Sequence, residues 1–92
     1  MKDERPLILL ADDDPSIAST LAPFLERAGF HVLTVSDGAA ALDKIHSHRP
    51  AVVILDVLMP RMDGREVLRR IRRENNWLPA ILLTQVGESS ER

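Results

Sequence analysis

The sequence predicts an α/β fold in which a parallel β-sheet carries helices on both faces. Residues 51–55 (Ala-Val-Val-Ile-Leu) form a continuous apolar run rich in β-branched residues, which is typical of a strand buried on both faces. Similar runs alternate with segments of helical periodicity in the order β-α-β-α-β-α-β. The connections are short, and this alternation indicates parallel strands joined by right-handed crossovers.

The composition indicates one domain with a packed core. The 92 residues are 45% hydrophobic and 28% charged, and the net charge of -2 gives no electrostatic reason to bind nucleic acid or a membrane. The absence of cysteine excludes disulfides and thiolate metal sites. The apolar run 7–11 is too short for a membrane span or a signal peptide, so we expect a cytoplasmic protein.

The first predicted strand covers residues 6–11. A helix then begins at Pro15 with Asp14 as its N-cap, because proline lacks only an N–H that would be unpaired at this position. Gly29 is suited to the position just after the helix, where it is free to adopt positive φ. The residues expected to form the buried face of this helix are Ile17, Leu21, Phe24 and Leu25.

The second predicted strand, residues 30–35, is more polar than the first, which favours a place at the edge of the sheet. Asp37 and Gly38 follow and open a second helix. That helix ends within residues 47–50, because a residue that precedes proline avoids the α conformation.

The third predicted strand covers residues 51–56, and a helix begins after it at Asp63 or Gly64. Its expected buried residues are Val67, Leu68 and Ile71, and residues 75–79 end it. Trp77 is expected to cover the bottom of the sheet. Residues 80–84 form the fourth predicted strand, and residues 85–92 are expected to be a loop.

Oxygen-bearing side chains stand where three of the predicted strands end. Asp12 and Asp13 follow the first strand, Asp56 ends the third and Thr84 ends the fourth. In a parallel sheet these ends share one edge, where ligands bind. Carboxylates gathered there repel one another unless a cation offsets their charge, and hard oxygen ligands suit Mg²⁺. A metal-bound aspartate beside a hydroxyl is suited to attack a phosphoryl group.

Each of these features also has a purely structural interpretation. The run 12–14 is compatible with helix capping, an aspartate after a strand is a common turn residue, and Thr84 suits a strand or a turn. Their coincidence at corresponding strand ends favours a functional site.

Four segments together resemble the receiver domain of two-component response regulators, which has a flavodoxin-like doubly wound fold. They are residues 8–15 (Ile-Leu-Leu-Ala-Asp-Asp-Asp-Pro), 37–42 (Asp-Gly-Ala-Ala-Ala-Leu), 53–64 and 81–84 (Ile-Leu-Leu-Thr). The third contains the pattern D-x-x-M-P-x-M-D-G after an apolar strand, which is hard to obtain by chance. The resemblance implies that Gly64 fixes the loop beside the site through a backbone conformation that side chains disfavour.

The resemblance also implies a role for each polar residue at this edge. Asp56 would accept a phosphoryl group from a sensor histidine kinase or a phosphotransfer protein. Asp13 and Asp56, with the backbone carbonyl of Leu58, would hold Mg²⁺. Asp12 would reach the ion through water or shape the acidic pocket, and Thr84 would donate a hydrogen bond to the phosphoryl oxygens.

The sequence departs from the family pattern at its end. The family continues beyond the fourth strand with a further strand and helices, so we expect residues 1–92 to be an incomplete receiver domain of about four βα units. Neither the lysine that family members carry nor their aromatic switch residue can be assigned here. Lys2 and Lys44 are the only lysines, and neither follows a strand in the required place. Residues 80–84 would then be an exposed apolar edge, which favours self-association or exchange of elements between copies.

Two other functions stay open. An inactive receiver fragment would act only through protein–protein contacts. A phosphatase or phosphotransferase of another α/β class would also use an aspartate nucleophile, but such enzymes usually carry a second aspartate two residues later, where this chain has Leu58. In the receiver interpretation, any enzymatic activity is at most self-phosphorylation and self-dephosphorylation.

Overall fold

A computed structural model describes residues 4–84 as a four-stranded parallel sheet with three helices. The elements in chain order are β1 (Leu7–Ala11), α1 (Pro15–Arg27), β2 (His31–Val35), α2 (Gly38–His48), β3 (Val52–Asp56), α3 (Gly64–Arg73) and β4 (Ala80–Leu83). Each predicted strand and helix is therefore confirmed. The loop expected at residues 85–92 lies outside the described residues.

The strand order across the sheet is β2-β1-β3-β4, and every neighbouring pair is parallel. β1 and β3 occupy the centre, which explains why their sequences are continuous apolar runs. The more polar β2 lies at one edge, as predicted, and β4 is the other edge strand among residues 4–84.

Two hydrophobic clusters cover the two faces of the sheet, because successive side chains of a strand point to opposite sides. The larger cluster packs α2 and α3 against one face; its largest fully buried side chains are Leu9, Leu55, Val53, Ile45, Val67 and Ile71. The smaller cluster packs α1 against the other face; its buried members are Ile8, Leu10 and Ile54. Helices on both faces confirm the doubly wound architecture.

α1 is less buried than its sequence predicts. Leu21 and Leu25 pack against the smaller cluster as expected. The expected burial of Ile17 and Phe24 is wrong, since both side chains are exposed and Phe24 is 63% accessible. Among residues 4–84, α1 is the one helix on this face of the sheet, so no neighbouring helix covers these two apolar side chains.

No helix among residues 4–84 is long and apolar enough for a membrane crossing.

Trp77 does not cover the bottom of the sheet, and this expectation is also wrong. Its side chain is 71% exposed and stacks with the guanidinium of Arg72, which lies 5.3 Å from the ring centroid. Arg72 donates hydrogen bonds to the carbonyl oxygens of Asn76 (2.9 Å) and Leu78 (2.8 Å). The next residue, Leu78, is buried and packs into the larger cluster.

The exposure of Trp77 predicts that its removal has a small effect on stability. Trp77→Ala removes a stacking contact at the surface, so the free energy of unfolding should fall by about 1 kcal/mol or less. Ile71→Ala leaves a cavity in the larger cluster and should cost about 2–5 kcal/mol. Urea denaturation measures both values, and equal losses would contradict the surface position of the tryptophan.

Candidate functional site

The carboxyl ends of β1 and β3 bring three aspartates together. β1 and β3 are adjacent and parallel, with Ala11 opposite Leu55, so the residues that follow emerge at the same edge of the sheet. Carboxylate oxygens of Asp12, Asp13 and Asp56 lie within 4.8 Å of one another. We call these three residues the aspartate cluster.

The predicted site residues all line one cavity at this edge. Its volume is about 410 Å³, and Asp56 is opposite Leu83 in the β3–β4 pairing, which places Thr84 beside the cluster. The lining residues are Asp12, Asp13, Asp14, Ile17, Asp56, Leu58, Leu83 and Thr84. Within residues 4–84, no lysine lines this cavity. Asp56 is only 7% exposed, whereas Asp13 and Thr84 are open to solvent.

Burial raises the pKa of Asp56 above its ordinary value, because the ionised carboxyl is poorly solvated. A hydrogen bond from the Leu58 N–H to Asp56 Oδ1 (3.2 Å) acts in the opposite direction. The neighbouring charges of Asp12 and Asp13 raise the pKa further. The aspartate cluster therefore carries negative charge that a bound cation would offset.

The donor set fits Mg²⁺. Three carboxylates at the ends of two strands offer hard oxygen atoms within one ion's reach, and Mg²⁺ prefers such ligands together with waters. The carboxylates repel one another at this short separation, and a bound divalent ion would offset that repulsion. Asp13 and Thr84 are exposed, so the cavity has an open side for waters and for a phosphoryl group.

The three consecutive aspartates have separate structural roles. Asp14 caps α1, since its Oδ1 accepts hydrogen bonds from the Ser16 N–H (3.0 Å) and Ser16 Oγ (2.8 Å). Those two bonds, the side-chain one first, lower the pKa of Asp14. Asp12 Oδ1 accepts from the Asp14 N–H at 2.9 Å. Helix capping thus explains Asp14, whereas Asp12 and Asp13 belong to the aspartate cluster.

Gly64 is required for a different reason from the one expected. Its φ is not positive, so a backbone conformation closed to side chains does not explain it. A Cβ atom at this position would lie 2.5 Å from the carbonyl oxygen of Asp56, closer than any side chain tolerates. Positive φ occurs instead at Arg61, with a value of 69°.

One ion pair near the site was not predicted from the sequence. Arg61 forms an ion pair with Asp37, which sequence patterns identified only as a helix start. The two residues are 24 positions apart in the chain, and no spacing or motif links them. Only the folded arrangement of α2 beside the β3–α3 loop shows the pair.

A family model described as the response regulator receiver domain matches residues 8–92. The chain belongs to this family. The aspartate cluster therefore lies in a receiver domain of a two-component response regulator, with the flavodoxin-like fold of that family.

Known receivers are similar to this chain over most of its length. The alkaline phosphatase synthesis transcriptional regulatory protein PhoP of Bacillus subtilis is 39% identical over 85 residues, which cover 92% of this chain and 35% of that protein. The chain thus spans about a third of the length of this curated relative. The Francisella response regulator 1452 receiver domain has a TM-score of 0.86 at 32% identity, covering 92% of this chain and 70% of that one.

A second solved structure supports the same fold. The chemotaxis response regulator CheY4 of Vibrio cholerae has a TM-score of 0.84 at 35% identity, and the match covers 95% of this receiver and 72% of that chain. Likeness at this level of identity shows a shared architecture together with a shared family.

The raised pKa of Asp56 predicts that its charge destabilises the metal-free receiver. Asp56→Asn should raise the midpoint of thermal unfolding by a few degrees in the presence of a chelator, because a neutral amide relieves repulsion within the cluster. Asp43→Asn, an exposed position on α2, is the matched control and should leave the midpoint nearly unchanged.

The effect should depend on pH in one direction. A carboxyl whose pKa is raised by folding favours the folded state at low pH, and this contribution is lost as the pH rises through the folded-state value. The advantage of Asp56→Asn should therefore be largest near neutral pH and should shrink on acidification. An advantage that grows at low pH would contradict the raised pKa.

Proposed function

We propose that this receiver domain accepts a phosphoryl group on Asp56, with Mg²⁺, from a sensor histidine kinase or a phosphotransfer protein in the cytoplasm. The observation that carries the proposal is the aspartate cluster, in which Asp12, Asp13 and Asp56 converge within 4.8 Å at the carboxyl edge of the sheet. Phosphorylation would then switch a surface that contacts other proteins.

The residues that would hold Mg²⁺ are Asp12, Asp13 and Asp56 with the backbone carbonyl of Leu58. When bound, the ion would neutralise negative charge on the carboxylates and on the phosphoryl oxygens. The Leu58 N–H fixes the orientation of the Asp56 carboxylate through its contact with Oδ1. The buried position of Asp56 limits access of water to it.

In the transfer step, an oxygen of Asp56 attacks phosphorus as the phosphorus–nitrogen bond of a phosphohistidine breaks. One P–O bond forms, and the electron pair of the P–N bond stays on the imidazole nitrogen, which leaves as histidine. Thr84 lies beside Asp56 in the cavity, where its hydroxyl would donate a hydrogen bond to a phosphoryl oxygen. The chain contributes mainly position and electrostatics to this reaction.

The switch follows from the charge that the reaction adds. A phosphoryl group brings more negative charge and more hydrogen-bond acceptors than the carboxylate it modifies. Thr84 follows β4 directly, so a movement of its hydroxyl toward the new acceptors would shift the backbone at the end of that strand. A change of shape there would carry the signal to a partner protein.

Mass spectrometry tests the phosphoacceptor role. Incubation with Mg²⁺ and a small acyl phosphate should add the mass of one phosphoryl group to the wild-type receiver and nothing to Asp56→Asn. Removal of Mg²⁺, or the substitution Asp13→Asn, should slow the modification by on the order of tenfold or more.

Two other outcomes identify the competing functions. An unmodified wild-type chain that remains folded would favour an inactive fragment that works only by protein contacts. Turnover of unrelated phosphoesters that is lost in Asp56→Asn would favour a phosphatase of another α/β class.

The edge strand β4 supports a second proposal, self-association. β4 pairs with β3 on one side only within the described residues, and Ile81 at its centre is 52% exposed. An apolar edge strand offers unpaired backbone groups to another chain. A second copy of this receiver would bury Ile81 and extend the sheet.

Light scattering coupled to size-exclusion chromatography tests this association. The wild-type chain should elute above monomer mass at micromolar concentrations, and Ile81→Lys should shift it to the monomer because a buried lysine at the edge is unfavourable. Ile17→Lys, at an exposed apolar position on α1, is the control and should leave the mass unchanged. A monodisperse wild-type monomer would refute the proposal.

A further inference from the structure

We propose that the ion pair between Arg61 and Asp37 is a brace that positions the β3–α3 loop, residues 57–63, for Mg²⁺ binding. Both are positioning residues: neither lines the acidic cavity, and they act through the loop that carries Leu58. The inference rests on the proposed function, because it concerns the same metal site.

The geometry of the brace uses both oxygens of a buried carboxylate. Arg61 donates to Asp37 Oδ2 from Nη2 (3.0 Å) and from Nε (3.3 Å). Asp37 Oδ1 accepts from the Ala40 N–H at 2.8 Å and so caps α2. One side chain therefore joins the start of α2 to the β3–α3 loop. Hydrogen bonds from Ala40 and then from Arg61 lower the pKa of Asp37, which keeps the carboxylate charged.

The backbone of the loop is held close to α2 at the same place. Arg61 has a φ of 69°, a left-handed conformation that residues with a side chain rarely adopt unless their surroundings hold it. A Cβ atom on Gly38 would overlap the carbonyl oxygen of Met62, so the start of α2 packs directly against the loop backbone. The ion pair and this contact fix two consecutive loop residues against one helix end.

Arg61 lies in the loop that connects the metal site to α3. The loop begins directly after Asp56, and its second residue, Leu58, lines the acidic cavity. Its far end is tied back by the Gly64 N–H, which donates to the Val57 carbonyl at 3.2 Å. Arg61 lies near the middle of the loop and holds it against α2. Loss of the Arg61 contact would therefore let the Leu58 carbonyl move out of position for metal binding.

A positioning role and a simple charge effect predict different changes in Mg²⁺ affinity for substitutions of the two residues. Arg61→Gln removes a positive charge, and by charge alone this would strengthen Mg²⁺ binding. Asp37→Asn removes a negative charge and by charge alone would weaken it. If the pair is a brace, both substitutions weaken Mg²⁺ binding by about tenfold, the size of effect typical of residues that support a metal ligand.

Calorimetric titration of the full chain with Mg²⁺, without a phosphodonor, measures these affinities. Asp37→Asn keeps the cap of α2, because an asparagine oxygen also accepts from Ala40, so the variant should fold. The double variant should bind no more weakly than either single variant, since the two residues act as one unit. Arg65→Gln, on the exposed side of α3, is the matched loss of positive charge and should not weaken binding.

Hydrogen exchange provides a readout that does not involve the metal. The backbone N–H groups of Leu58, Met62 and Gly64 all donate hydrogen bonds in or next to this loop, and their exchange should accelerate in both single variants. Arg61→Lys keeps the charge but loses the two-point contact, and it should lie between wild type and Arg61→Gln.

Three results would overturn the inference. Opposite shifts in Mg²⁺ affinity for the two single variants would show a charge effect only. Unchanged affinity and exchange in both variants would show that the pair does not hold the loop. A wild-type chain that fails to bind Mg²⁺ would refute the metal site of the proposed function and this inference with it, and that failure is visible before any variant is compared.

Discussion

Parallel pairing of β1 with β3 is the constraint on which the site depends. The register that places Ala11 opposite Leu55 brings Asp12, Asp13 and Asp56 to a common edge. A slip of one residue would turn every side chain of β3 to the other face of the sheet. The alternating burial of the central strands opposes such a slip, since each face has its own cluster of aliphatic residues. Hydrophobic packing therefore sets the distances between charged groups that repel one another.

Much of this arrangement was readable in the sequence, because its local signals are strong. Continuous aliphatic runs can be satisfied only in the middle of a covered sheet, and this marked β1 and β3. Asp14 before Pro15 gave the start of α1, and Gly29, with a φ of 106°, gave its end. The convergence of the aspartates followed from topology, since parallel strands leave their last residues at one edge.

The remaining features depend on neighbours that are distant in sequence. Whether Phe24 or Trp77 is buried is decided by what stands beside them, and helical periodicity reports only which side of a helix is apolar. The need for glycine at position 64 comes from the carbonyl of Asp56, a contact that conformational preference does not express. The Arg61–Asp37 pair joins the start of α2 to the β3–α3 loop across 24 positions of sequence, so only three-dimensional proximity shows it.

The hydrogen bonds that run from Asp12 through the Asp14 N–H to the first turn of α1 have a thermodynamic consequence. A cation in the cavity would draw on the same Asp12 carboxylate that anchors the residue capping this helix. Cation occupancy and fraying of that first turn would thereby be linked, and linkage between two equilibria is reciprocal. A protein that binds the beginning of α1 would change how tightly the cavity holds its ion, and depletion of the ion would change the affinity for that protein by the same factor.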